Sequence, residues 1–344
     1  MSLTVDIKKR LGSFMLDVSF QADKEVLALL GSSGCGKSMT LKCIAGIEKP
    51  DEGYICLDDR VLFDSKKNIN LTPQKRRVGY LFQQYALFPN MTVYNNIAAG
   101  VHRENAARRG EIVEAQIKAM HLDDVRQSRP HQLSGGQQQR TALARILANE
   151  PELILLDEPF SALDSYLKWQ VEMELADTLQ CFPGASVFVS HDRDEVYRLC
   201  DSVCVLNSGK SQEKVPVRRL FSQPATLAAC LITGCKNFCS IKIIDETHAK
   251  AQDWGAELTV SHLSPSHVYV GVRAHEILPG GGENQFSCKV ERRVEDLFSD
   301  IVMLLTPGGG LLRMEAPRGT LAGFDTGRDV LVHIPPEHIM LLEA

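Results

Sequence analysis

Short, uninterrupted apolar runs at Val26–Leu30, Leu153–Leu156, Val187–Val189 and Val203–Leu206 are rich in leucine and β-branched residues. Runs of this length suit strands buried on both faces. Helix-compatible stretches fall between them, the first from Lys37 to Gly46. That alternation predicts an α/β domain, a mainly parallel sheet wrapped by helices, with its chemistry at the carboxyl ends of the strands. From about residue 84 to 149 strand signals thin out and Ala, Gln, Arg and Glu dominate, which predicts an inserted helical subdomain. The pattern changes again around Phe221–Pro224. After Lys236 come alternating segments such as Val268–Val272, Ser287–Val290, Ile301–Leu305 and Val330–Ile334, split by Gly and Pro. These predict an all-β, barrel-like domain over 236–344 after a first domain over 1–235, with Gly280–Gly282 and Gly308–Gly310 as hairpin or loop tips.

A length of 344 residues agrees with two domains. The net charge of −5, with no dense Lys/Arg stripe, argues against a nucleic-acid partner. Met1–Arg10 alternates polar and apolar residues and lacks a basic-then-apolar signal region, so export is not expected. No apolar run approaches the roughly 18 residues needed to cross a bilayer, so any part in membrane transport falls to the cytoplasmic face of other subunits. The 10 cysteines are scattered, which suits reduced thiols. Cys230, Cys235 and Cys239 invite a metal reading, but they lack a Cys-x-x-Cys pair and no nearby His completes them.

The chemistry concentrates in three places. Gly31-Ser32-Ser33-Gly34-Cys35-Gly36-Lys37-Ser38 has phosphate-loop spacing and lies between a strand-like run and a helix-like one. Its glycines let backbone N–H groups turn inward around phosphates, and the following helix N-terminus favours an anion. Lys37 is placed for the outer phosphates and Ser38 offers a hydroxyl to magnesium. Further on stand Leu133-Ser134-Gly135-Gly136-Gln137 and Leu155-Leu156-Asp157-Glu158. A phosphate loop alone leaves many nucleotidases and kinases open; the Leu-Ser-Gly-Gly-Gln signature narrows the field.

With both motifs, residues 1 to about 235 resemble the ATP-binding subunit of an ATP-binding cassette importer. The resemblance implies ATP and Mg2+ as cofactors and a head-to-tail homodimer. In it Ser134, Gly135 and Gly136 grip the terminal phosphate of ATP held by the other copy, as a second anion nest at a helix start. Asp157 is then the magnesium residue, and Glu158 polarises the attacking water. His191, in Val-Ser-His-Asp, matches the γ-phosphate histidine. Gln83 matches the glutamine that reaches magnesium and water, with Gln84 as the alternative register. Ser161–Asp164 matches the loop between the dimer's two sites. Tyr85, Leu87, Phe88 and Pro89 form either a groove for a permease helix or core packing. Met39 stands where Thr often follows the loop Ser. The adenine-stacking aromatic has no match at its usual place, Phe14 lying too late in the strand.

Arg60–Asp64 and Leu71–Tyr80 resemble molybdate importer ATPases. The C-terminal part, with Thr233–Asn237 and Val270–His275, resembles their accessory oligomer-binding-like (TOBE/MOP-type) barrel. Arg273 and His275 are candidates for anion contact or ordinary strand-end charges. The implied protein is a peripheral ATPase on the cytoplasmic face of the membrane. It would power molybdate import through permease subunits and serve an extracytoplasmic substrate-binding protein indirectly. Sulfate, ferric ion or polyamine are the alternative cargoes. A soluble superfamily ATPase in DNA repair or translation is the alternative class, disfavoured because coiled-coil insertions and a second cassette are missing.

Overall fold

The computed structural model describes every residue except Met1, His102, Arg103, Ala162 and Asp164, and the side chains of 165–167. It forms two compact units, 1–217 and 218–344.

In the first unit, the four apolar runs become the strands Val26–Gly31, Leu153–Asp157, Ala185–Ser190 and Ser202–Asn207. They pair in parallel, and Val78–Leu81 adds a parallel edge. Nearly every residue in the four is buried, as expected for strands covered on both faces. The 12-stranded sheet then continues as an antiparallel layer built from Leu3–Leu11, Phe14–Ala22, Glu52–Leu57 and Arg60–Asp64. In this layer the expectation of a mainly parallel sheet gives way to antiparallel pairing in the order Arg60–Asp64, Glu52–Leu57, Leu3–Leu11, Phe14–Ala22. Leu3–Leu11 and Phe14–Ala22 bury one face only: Leu3, Val5 and Ile7 alternate with exposed or half-exposed residues, as do Leu16, Val18 and Phe20, whereas Glu52–Leu57 and Arg60–Asp64 each end in three consecutive buried residues.

The predicted helical insertion is present as Val93–Ala98, Ala106–Ala119 and Gly135–Leu147, each with a side-chain N-cap, from Thr92, Asn105 and Ser134. The phosphate-loop helix, Lys37–Ala45, is anchored at its other end. Fully buried Arg76 donates to the carbonyls of Cys43 at 2.9 Å and Ile44 at 2.7 Å, meeting the negative end of the helix dipole. Burial pulls this guanidinium down to about 10.

The second unit holds two five-stranded antiparallel sheets around one core, in which Trp254, Leu258 and Val270 join Phe286, Val302 and Leu312. This curled all-β arrangement is consistent with an oligomer-binding-like barrel. Gly308–Gly310 turns the hairpin between Ser299–Leu305 and Leu311–Pro317. Gly280–Gly282 is a loop, since the strands it joins both pair with Asp329–His333 and not with each other. The units divide at 217/218, earlier than the 235/236 division read from the sequence. Helix Leu227–Ile232 belongs with the strands that follow: Leu227 N–H donates to Glu343 O, and Cys230 and Cys235 pack on Met340 and Leu342. Arg273 is occupied structurally, its guanidinium donating to the carbonyls of Thr233 and Phe221 at helix ends. That corrects its reading as an anion contact, while His275 is exposed. Cys235 donates to the carbonyls of Asn237 and Val272, and Cys239 lies in the separate barrel core.

Candidate nucleotide site

The phosphate loop turns where glycine permits it. Gly34 and Gly36 have φ of +79° and +105°, and a Cβ on Gly36 would strike Leu16 Cδ1. Lys37 opens the helix. The residue is only 6% exposed, and its ammonium donates to the loop's own carbonyls, Gly31 O at 2.7 Å and Ser32 O at 2.9 Å. Cys35 is buried behind the loop, and Met39 packs its side chain on the core. Phe14, read as too late for adenine, has its ring beside the loop: its Cζ lies 3.5 Å from where a Gly36 Cβ would be.

Ser38 Oγ donates to Asp157 Oδ1 at 2.8 Å, joining the helix start to the end of strand Leu153–Asp157. The other oxygen, Oδ2, accepts from Tyr80 Oη, also at 2.8 Å. Burial first, then the neighbouring Asp157 carboxylate, pushes the Tyr80 phenol well up, so it stays a donor. A hydroxyl, a carboxylate and the nearby Gln83 amide are hard oxygen donors of the kind magnesium takes.

Glu158 sits in the left-handed region at φ +47°, and Ser161 Oγ bonds its carbonyl at 3.0 Å. Its carboxylate is clasped: Gln83 Nε2 donates to Oε2 at 3.1 Å and His191 Nδ1 lies 3.3 Å from Oε1. Non-glycine residues held at such φ cluster at functional sites. Gln83 is the glutamine whose amide reaches this carboxylate. The structure thus brings together Lys37, Ser38, Gln83, Asp157, Glu158 and His191.

Ser134, Gly135 and Gly136 have partners outside this cluster. Ser134 Oγ accepts from Gln137 N–H at 3.3 Å while Gln137 Oε1 accepts from Ser134 N–H at 2.9 Å, a reciprocal capping box. A Cβ on Gly136 would come within 3.1 Å of Val171, so this turn is closely packed against helix Ser165–Cys181. Asp164, in the expected inter-site loop, lies outside the described residues. Of the expected partner-facing groove, Tyr85 is buried, with its hydroxyl on Pro159 O at 3.1 Å, while Phe88 and Pro89 are exposed.

Sequence reasoning missed two supports. One is Tyr80, three residues before Gln83. The other is Lys168, whose ammonium meets Asp192 at 2.6 Å and buried Glu195 at 2.5 Å. Ser190 Oγ donates to Glu195 at 2.6 Å and accepts from Asp192 N–H at 2.9 Å, so this cluster brackets His191. A cavity of about 190 Å³ lies between it and Glu158, lined by Glu158, Ser161, Lys168 and His191 among others.

The family profile described as "ABC transporter" matches residues 15–161. The Fe(3+) ions import ATP-binding protein FbpC 2 of Haemophilus influenzae is 41% identical over 239 residues, 69% of this chain and 67% of that protein. This chain belongs to the ABC transporter ATPases. Another relative, the molybdenum import ATP-binding protein ModC of Paramagnetospirillum magneticum, is 38% identical over 64% of this chain and 61% of its own length. The similarity extends through the second unit in YurJ of Bacillus subtilis, an uncharacterized ABC transporter ATP-binding protein, 30% identical over 96% of this chain and 92% of that one. Among solved structures, the dimeric post-hydrolysis state of the ATP-binding cassette MJ0796 bound to ADP and Pi has a TM-score of 0.54 at 28% identity. It covers 63% of this chain and 99% of that one. Membership carries ATP binding and hydrolysis. Among the described residues no helix is long and apolar enough to cross a membrane.

Proposed function

We propose that this ABC transporter ATPase is the motor of an importer, working as a head-to-tail homodimer on the cytoplasmic face of membrane permease subunits. The observation that carries this reading is the clasp on Glu158, between Gln83 and His191 and next to the Ser38–Asp157 pair. Phosphoryl transfer to water asks mainly for placement and charge neutralisation. Lys37 and the loop N–H groups of Gly31–Ser38 hold the phosphates. Glu158 accepts a hydrogen bond from the attacking water and polarises it, and His191 faces the γ-phosphate. Ser38, Asp157 and Gln83 are the residues that would hold magnesium, which when bound neutralises the phosphate oxygens. Ser134, Gly135 and Gly136 present a helix N-terminus to the nucleotide of the other copy. Closing on ATP and reopening after hydrolysis drive the permease between its two states. Cargo is selected outside this chain, by the permease and an extracytoplasmic binding protein.

The proposed cargo is molybdate, supported by the motif resemblance at Arg60–Asp64 and Leu71–Tyr80 and by the similarity to ModC. The 41% identity to FbpC 2 favours ferric ion as the second reading. Deleting the gene and measuring labelled molybdate, ferric ion and sulfate uptake, with rescue by wild type or Glu158→Gln, tests both. Loss of molybdate uptake alone, restored only by wild type, is the expected result. Loss of ferric uptake alone moves the cargo, and unchanged uptake of all three removes the molybdate, ferric and sulfate readings while leaving the ATPase assignment standing.

A further inference from the structure

Directly after Gln83 and Gln84 the chain makes a turn that side chains rarely tolerate. Tyr85 and Ala86 are consecutive non-glycine residues in the left-handed region, at φ +58° and +46°. Such a conformation persists only where its surroundings over-determine it. Three restraints are present. Tyr85 is 3% exposed and its hydroxyl donates to the carbonyl of Pro159, the neighbour of Glu158. Buried Asn96 pins the far side by accepting from Phe88 N–H at 2.8 Å and donating to Phe88 O at 3.2 Å. The third restraint comes from the signature helix, Gly135–Leu147. Arg145 donates to Ala86 O at 2.8 Å and to Tyr85 O at 3.0 Å, and its guanidinium lies over the Phe88 ring, 5.3 Å from the centroid.

We infer that Arg145 is a positioning residue that latches the left-handed turn Tyr85–Ala86 to the signature helix and so holds Gln83 on Glu158. Two diverging carbonyls and an aromatic face match the planar fork of arginine, which a lysine ammonium does not reproduce. Ser134 caps one end of the helix and Arg145 lies about 16 Å along it at 1.5 Å per residue. A shift of the signature toward nucleotide therefore carries the turn with it, and the turn carries Gln83. This latch rests on the role given above to Gln83.

The test uses the full chain and two readouts. Arg145→Lys is expected to lower kcat for Mg-ATP about tenfold with KM within about twofold, because a misplaced Gln83 affects the reacting phosphate more than nucleotide capture. Amide hydrogen exchange across residues 82–91 should speed up in the same variant. Glycine adopts positive φ without strain, so Ala86→Gly added to Arg145→Lys should restore most of kcat, while Ala86→Gly alone stays within about twofold of wild type. A purely structural Arg145 would not be rescued by glycine at 86. Unchanged exchange in Arg145→Lys, or a double variant as slow as the single one, overturns the latch. Gln83→Ala is measured alongside: if it hydrolyses ATP at the wild-type rate the role of Gln83 falls, and the exchange data decide the latch alone.

Discussion

Glu158 carries the most information of any single residue, because its backbone strain and its side-chain partners point to the same task. Its two carboxylate oxygens are met separately, one by Gln83 and the other by His191, and its backbone N–H is fixed to Val189 O at 2.9 Å. Glu158→Gln keeps the shape and an acceptor for Gln83 but removes the charge proposed to polarise the attacking water. It is expected to lower kcat by about 100-fold or more while leaving ATP binding within about threefold, read by single-turnover hydrolysis and by equilibrium binding of a fluorescent ATP. Hydrolysis near the wild-type rate would remove Glu158 from the chemistry. Tyr80→Phe probes the neighbouring position. Without the phenol, Asp157 Oδ2 loses its donor, and the Mg2+ concentration for half-maximal binding of the nucleotide should rise about threefold to tenfold, measured by titration calorimetry without turnover. The six clustered residues were legible because each belongs to a contiguous motif. Tyr80 and Lys168 were not, since their partners Asp157 and Asp192 are distant in sequence and only the sheet and helix packing bring them close.

Legibility at the level of elements followed the same physics. Strands buried on both faces write themselves as continuous apolar runs, so the parallel core could be read directly. Phe14–Ala22 is half-buried, and its polar alternate residues dilute the signal; Glu52–Leu57 buries only its last three residues, too short an apolar run to announce a strand. The unit boundary was misplaced because helix Leu227–Ile232 is apolar on a face that meets strand Tyr269–Val272, a contact no local pattern announces. The helix that follows His191 depends on the Lys168 cluster. Burial alone would raise the Asp192 carboxyl, but Lys168 and the Asp194 N–H hold it below its ordinary value; deeper Glu195 stays raised by burial despite Lys168 and Ser190. Asp192 therefore adds stability above the unfolded carboxylate pKa, lost as pH falls through its depressed value. Glu195 acts in reverse: its contribution is present below the unfolded value and is lost as pH rises through the raised one. Lys168→Met leaves both carboxylates without their cation and is expected to destabilise the first unit by about 2 kcal/mol at pH 7.5. The deficit should shrink as pH is lowered to 5, because burial raises the Glu195 carboxyl and loss of the Lys168 cation moves it further in the same direction. Denaturant unfolding at the two pH values checks this, and an equal loss at both would make Lys168 a packing residue only.

Across the whole molecule, the first unit carries its two candidate phosphate-facing groups on different elements. Lys37, Ser38, Asp157, Glu158, Gln83 and His191 form one cluster, whereas Ser134, Gly135 and Gly136 sit at the start of a helix in the inserted layer, engaged with Gln137 and Val171. A helix N-terminus that grips phosphate must meet that phosphate, and a head-to-tail pair supplies the meeting twice over. Complementation decides whether it does so in trans. Lys37→Ala spoils the phosphate loop and Gly135→Asp puts a carboxylate in front of the signature's N–H groups, at a helix start where Asp is well tolerated structurally. Each variant alone has two defective sites and should be close to inactive. In a mixed dimer one site collects both defects and the other collects neither. An equal mixture, with about half its dimers mixed and sites acting independently, should recover about a quarter of wild-type hydrolysis. If the signature served the nucleotide of its own copy, every site would keep a defect in either arrangement, and the mixture would hydrolyse no faster than its parents.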